Sequence, residues 1–170
     1  MQRSPLSDDG VKGLFSDVPS GVALLAARVE GKTTAMVVST LTVGVSLDPP
    51  MVTAAIAHTS TSWPVLEQAS AIGISVLSTE NAESIPLLRS RDEELLSQEL
   101  HGFSPESSAL VLPDASVTMC ANLVEEYPAG DHRIALFHVL DYARPGEHPP
   151  LVYHRSRFHQ VGAEIPREGR

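Results

Sequence analysis

Two hydroxyl-rich stretches carry most of the chemistry that this sequence offers. Ser39, Thr40 and Thr42 follow one β-branched run, and Thr59, Ser60, Thr61 and Ser62 follow another and lead into Trp63-Pro64-Val65-Leu66. Ser62 is placed to N-cap a helix, Pro64 is tolerated in a first turn, and Val65, Leu66 and Ala69 supply an apolar face, which predicts a helix ending near Ser70. Hydroxyl donors, free backbone N–H groups and the positive end of a helix dipole together suit a phosphate. Other chemical signals read as structure. Gly31-Lys32-Thr33 matches the end of a P-loop, but Ala26 stands where the first glycine is required. Gly73-Ile74-Ser75-Val76-Leu77 lacks the second glycine of a nucleophile elbow. His58, His101, His138, His148, His154 and His159 are scattered, and His154 and His159 flank a turn without a third ligand, so no metal site is expected. Cys120 packs as a small hydrophobe and Trp63 as a core residue.

The elements that must position these hydroxyls are mainly strands. Val22–Val29 is apolar without alternation, as in a strand buried on both faces, and Glu30-Gly31-Lys32 turns it tightly into the Thr33 strand. After Val45-Ser46-Leu47-Asp48-Pro49-Pro50, an extended turn, Met51–Ala57 empties into the second hydroxyl loop. Ala71–Leu77 is the next strand, and 82–100 is charged and leucine-bearing, one helix or two short ones. Val117–Glu126 pairs through Tyr127-Pro128-Ala129-Gly130 with Asp131–Asp141 as a hairpin of about ten-residue strands. Near the start, Val11, Leu14 and Phe15 have helix-compatible spacing, and 163–170 reads as a frayed tail.

With 170 residues, 42% of them hydrophobic, the chain is expected to be one domain, 1–170, with its core at about 14–160. Thirteen prolines and eleven glycines favour many short strands over a helical bundle. A net charge of −9 argues against nucleic acid and an anionic membrane surface as partners. No apolar run approaches the roughly 20 residues that span a bilayer. Asp8 and Asp9 do not suit a secretory signal, and the lone cysteine fits a reducing compartment, so a cytoplasmic location is expected.

Met36, Ser39, Thr40, the Ser46-Leu47-Asp48-Pro49-Pro50 block, the Met51–Ala57 strand and Thr59–Leu66 occur in an order that resembles the flavin reductase-like family of FMN-binding split barrels. Gly130-Asp131-His132 resembles that family's Gly-Asp-His signature, and Pro149–Phe158 its closing Pro-Leu-x-Tyr strand pair. The resemblance implies an antiparallel, Greek-key-like split β-barrel with a few short helices. It further implies a homodimer that reduces FMN, with FAD as the alternative, at the expense of NADH or NADPH, and hands it to a flavin-dependent monooxygenase. The other activities it leaves open are tightly held FMN serving another acceptor, and a binding module without turnover. Carried over residue by residue, the flavin contacts are Met36, Val37, Val38, Ser39, Thr40, Thr42, Ser46, Ala57, His58, Thr59, Ser60, Thr61 and Arg89. His132 is the side chain expected to act on reduction, since an imidazole at a hairpin end can reach over a bound ring.

Three departures from the family pattern carry expectations of their own. The segment 41–46 is one residue longer, so a rearranged loop beside the flavin is expected. His58 and Thr61 occupy positions that are often basic, leaving the phosphate less compensated. Phe137 replaces a common glycine and would narrow the nicotinamide site or fill a dimer seam.

Overall fold

The computed structural model describes residues 7–162; the tail expected at 163–170 lies outside them. Helix α1 (Asp8–Ser16) starts where the Ser7 hydroxyl accepts from Gly10 N–H. Strands β1 (Ser20–Gly21), β2 (Ala23–Val29), β3 (Lys32–Val38), β4 (Thr42–Leu47) and β5 (Pro50–Ala57) follow. After helix α2 (Trp63–Leu66) come β6 (Ile72–Val76), a 3-10 turn, α3 (Ile85–Leu88) and α4 (Glu93–Glu99). The chain continues through β7 (His101–Gly102), β8 (Leu110–Val111), β9 (Val117–Ala129) and β10 (His132–Ala143), and ends on the hairpin β11 (Leu151–His154) and β12 (Arg157–Gln160).

A seven-stranded sheet runs β3-β2-β6-β9-β10-β5-β4, with every pair antiparallel. Its two edges, β3 and β4, are consecutive stretches of one chain. The sheet therefore curls until its ends meet at Ser39–Leu41, as a barrel needs. Of the residues predicted as a rearranged loop, 41–46, all but Leu41 lie instead in edge strand β4, which pairs Thr42 with Thr53 and Leu47 with Pro50. The ladder is irregular between Thr42 and Ser46, where the three residues 43–45 stand opposite Val52 alone and Gly44 adopts φ +72°. The turn predicted over 45–50 shrinks accordingly to Asp48-Pro49, and Pro50 opens β5, a position where no ladder donor is lost.

β2 is buried from Ala23 to Ala27, as its unbroken apolar run requires. One face joins Ile56, Trp63, Leu66, Ile74, Ala135 and Phe137 inside the barrel, and the other joins Leu77, Leu88, Leu96, Leu110 and Leu151 beneath α3 and α4. Gly73 is obligatory in β6, because a Cβ there would sit 1.9 Å from the Leu110 carbonyl oxygen. Ser75, the decoy nucleophile, is buried and accepts from Leu112 N–H at 3.0 Å.

The central hairpin is longer than its sequence suggested, reaching Ala129 on one strand and Ala143 on the other. Pro128 is accommodated because β6 pairs only with Val117–Ala121, leaving that outer edge of β9 without a ladder to interrupt. Register shifts between Leu136 and Phe137 and between Val139 and Asp141 make Val124 and Leu140 bulge residues. Phe137 is fully buried and meets Trp63 edge-on, with centroids 6.1 Å apart at 87°. It therefore neither narrows a nicotinamide site nor fills a dimer seam. Its position on the inward-facing side of β10, alternating with outward residues, sends the ring to the core.

Candidate functional site

A barrel closed by a single bent strand leaves part of that strand unpaired, and the site lies along that edge. Glu30 and Gly31, both with positive φ, form a two-residue hairpin turn between β2 and β3. In such a hairpin Lys32, Thr34, Met36 and Val38 exchange bonds with β2, so the main-chain groups of Thr33, Ala35 and Val37 face the open edge. Peptide donors and acceptors on an unpaired edge are available to a ligand.

Three adjoining bays follow this edge. The upper one, about 250 Å³, is walled by Val37, Val38, Ser39, Arg89, Tyr153 and Phe158. The middle one, about 140 Å³, brings Met36 and Val37 to Ser60, Thr61 and Ser62, with Arg89 and Arg91 opposite. A lower bay of about 170 Å³ continues past Thr61, Ser62 and Arg91 to Thr34 and Val65. Neither arginine has an ion-pair partner among the described residues. Two guanidiniums without ion-pair partners and three hydroxyls lining one bay have the donor chemistry that an anion needs. A larger cavity, about 350 Å³ between Leu41, Val43, Val117 and Met119, has no hydroxyl or charged side chain in its walls and offers no such anchor.

The loop 58–62 is held from several sides. His58 N–H donates to the Asp131 carbonyl, and Ser60 N–H to that of Ala57. The predicted cap, Ser62, makes no capping bond; the Ser60 hydroxyl instead accepts from Trp63 N–H at 3.2 Å. Helix α2 ends at Leu66, short of Ser70, and one turn provides little macrodipole, so the site rests on side chains and edge amides. Trp63 anchors the loop: it is 2% exposed, and its indole N–H donates to Glu126 at 2.9 Å.

Of the residues expected to contact flavin, Met36, Val37, Val38, Ser39, Ser60, Thr61 and Arg89 share this groove. The others lie elsewhere. Thr40 spends its hydroxyl on the Ala55 backbone, donating to the carbonyl and accepting from the N–H, each at 3.0 Å. Thr42 and Ser46 belong to β4, while Ala57, His58 and Thr59 stand where β5 runs into the loop, outside the bay walls. His132 also lies outside these walls. It opens β10 opposite Ala57, and its Nδ1 is 2.7 Å from the Asp131 carboxylate. That hydrogen bond, and then the imidazole's charge, hold the Asp131 carboxyl below its ordinary value. Sequence reasoning missed Arg91, Ser62, Tyr153 and Phe158 as wall residues. The tyrosine and phenylalanine were visible in the closing strand motif, whereas nothing local marked Arg91.

The donor set fits a phosphorylated ligand with an aromatic head: apolar and aromatic walls in the upper bay, then hydroxyls and guanidiniums in the middle one. Comparison with known proteins points the same way. The family model described as the flavin reductase like domain matches residues 15–162. The reductase component of 4-hydroxyphenylacetate 3-monooxygenase from Thermus thermophilus is 30% identical over 156 residues, covering 90% of this chain and 96% of its own. A Streptomyces nodosus subsp. asukaensis protein named as an NADH-dependent FMN reductase, AsuE2, is 28% identical over 145 residues, covering 83% and 78% of the two chains. In fold, the chain is similar to BorF, the flavin reductase component of a bacterial two-component tryptophan halogenase, with TM-score 0.83 at 24% identity over 93% of this chain and 100% of that one.

Proposed function

The chain belongs to the flavin reductase-like family, and we propose that it is an NAD(P)H:flavin oxidoreductase that reduces FMN and delivers it to a partner flavin-dependent monooxygenase. The observation that carries this reading is the groove along the free edge of β3, where Ser60, Thr61, Arg89 and Arg91 converge beside an apolar bay. When bound, the flavin supplies the hydride-accepting chemistry, and the protein supplies binding, orientation and electrostatics. Arg89, Ser60 and Thr61 hold the phosphate, giving the ligand its position along the strand. Tyr153 and Phe158, with ring centroids 5.5 Å apart, and Val38 wall the upper bay against water. Amides on the open edge of β3 orient the ring's polar rim. His132, half exposed at the hairpin tip next to the loop 58–62, serves the nicotinamide and not the flavin.

The same reading includes a homodimer. Val124 and Leu140, the two bulge residues, are 50% and 54% exposed, and Tyr142 is 60% exposed. Bulges that turn apolar side chains outward on one long hairpin suit a self-complementary seam. Among the described residues no helix is long and apolar enough to cross a membrane. We place the protein in the cytoplasm, where reduced nicotinamide is available. Loss of the flavin's long-wavelength absorbance on adding NADH or NADPH to protein plus FMN under anaerobic conditions tests the activity. No loss with either coenzyme would leave a flavin-binding protein without reductase function.

A further inference from the structure

We propose that the Asp17–Arg155 ion pair is a latch that sets how long the flavin stays, by holding the Phe158 ring against the upper bay; this rests on the flavin reading above. Tyr153 and Phe158 wall that bay and face each other across β11 and β12, as the second residue pair from the hairpin turn. The two rings are not held alike. Tyr153 belongs to β11, which β1 supports at Ser20 and Gly21 and which the Leu151 N–H ties to the Leu77 carbonyl at 2.8 Å. Among the described residues β12 pairs with β11 alone, and all four of its residues are exposed. The place of Phe158 therefore depends on the turn that joins the two strands.

That turn is Arg155-Ser156, with φ +49° and +59°. Positive φ at both positions is the geometry that a two-residue hairpin asks of asparagine or glycine, and neither residue is one of these. A second element imposes it. The Arg155 N–H donates to the Ser16 carbonyl at 2.9 Å, and the Arg155 Nε donates to the Asp17 carboxylate at 2.8 Å. The dependence is mutual. Helix α1 buries none of its residues, and its C-cap is Asp17, a carboxylate where the helix dipole is already negative. No basic residue stands in its last turn, so Arg155 supplies the cation that this end lacks. Neither Asp17 nor Arg155 lines a bay, so both are positioning residues that act through Phe158. Both side chains are more than half exposed. Such a pair is weak and screened by salt, which suits a wall that must open for reduced flavin to leave.

The test follows the release of FMN and of riboflavin by stopped-flow fluorescence at low and high salt. It compares wild type, Asp17→Asn, Arg155→Gln and the reversed pair, Asp17→Arg with Arg155→Asp. Both flavins should leave each single variant about two- to fivefold faster, the scale that an exposed ion pair commands, with the ratio of the two rates unchanged. Riboflavin carries no phosphate, so its release reports the wall alone. That release should quicken with salt in wild type and vary little with salt in the two neutral variants. The reversed pair should recover most of the lost residence time and regain the salt dependence, which a merely loosened turn would not do. Unchanged rates in both single variants overturn the inference, as do faster rates that the reversed pair leaves unmended. A change confined to FMN also overturns it, and would give Arg155 to the phosphate. Where a single variant fails to fold, wild type decides: riboflavin release that is independent of salt overturns the proposal. Wild type that binds both flavins while every variant matches it removes this inference alone, and wild type that binds neither removes the flavin reading and this inference with it.

Discussion

The Thr40 hydroxyl satisfies both backbone groups of Ala55, accepting from its N–H and donating to its carbonyl at 3.0 Å each. The register that pairs Thr42 with Thr53 places Thr40 directly across from Ala55. A side chain thus replaces the ladder at the corner where the chain leaves β2 and joins β5. The residue that sequence order marked as a phosphate ligand closes the barrel instead. Thr40→Val should therefore cost about 1–2 kcal/mol of stability, two ordinary hydrogen bonds on a solvent-accessible edge. That corresponds to a Tm lower by about 2–8 °C for a chain of this size, with Thr40→Ser restoring most of it. The ratio of FMN to riboflavin affinity should not move. A variant of unchanged Tm that loses FMN selectively would return Thr40 to the phosphate.

Arg89 and Val37 both line the upper and middle bays, and Arg89 is the charged one of the two. Arg89→Ala should weaken FMN by about 1.5–3 kcal/mol, the range for hydrogen bonds to a charged group. Riboflavin, which has no phosphate, should bind equally well to both proteins. Calorimetric titration with the two ligands checks this, and an equal loss for both would assign Arg89 to the ring.

Glu126 accepts from the buried Trp63 indole at 2.9 Å and also faces Arg133 at 3.5 Å. Glu126→Ala leaves a buried donor unsatisfied and should cost about 1–3 kcal/mol. Glu126→Gln keeps an acceptor and should cost less. Because Trp63 directly follows the hydroxyl loop, FMN affinity should fall with Glu126→Ala before the fold is lost. Urea midpoints and tryptophan emission report the first effect, and FMN titration the second.

His132→Ala should lower the rate of flavin reduction at least about tenfold, a loss of about 1.4 kcal/mol of transition-state stabilisation, while FMN affinity stays the same. Anaerobic stopped-flow reduction at saturating NADH and NADPH measures it, and a variant as fast as wild type makes His132 a turn residue only. An independent signature lies in Asp131, whose carboxyl the His132 hydrogen bond holds below its ordinary 3.8. A carboxyl lowered on folding adds stability that is complete above its unfolded value and disappears as the pH falls through the folded one. Carboxyl titration by NMR should find Asp131 shifted upward, toward 3.8, in His132→Ala.

Val124 and Leu140 project from two bulges of the same hairpin. If they meet a second copy, Val124→Glu and Leu140→Lys should each shift sedimentation toward the monomer at micromolar concentration. Flavin affinity should fall with them. Wild type sedimenting as a monomer with full FMN affinity would remove the dimer from this account.

What the sequence determined by itself was local. The unbroken apolar run of β2, a tight turn at Glu30-Gly31-Lys32, which the structure narrows to Glu30-Gly31, and the order of strands around both hydroxyl loops follow from turn chemistry and side-chain periodicity, which act over a few residues. So did the family, because its motifs are short and their order survives in the chain. The destinations of individual side chains were not legible in this way. Whether Thr40 faces a ligand or Ala55 depends on a strand fifteen residues on, and Phe137 is core because Trp63, from another element, meets it there. Arg91 joins Ser62 and Thr34 only after β3 is left with a free edge and α4 is packed over it. A strand carries its alternation within itself, but a binding groove is made from the edge that other strands leave unpaired, and tertiary closure alone decides which edge that is.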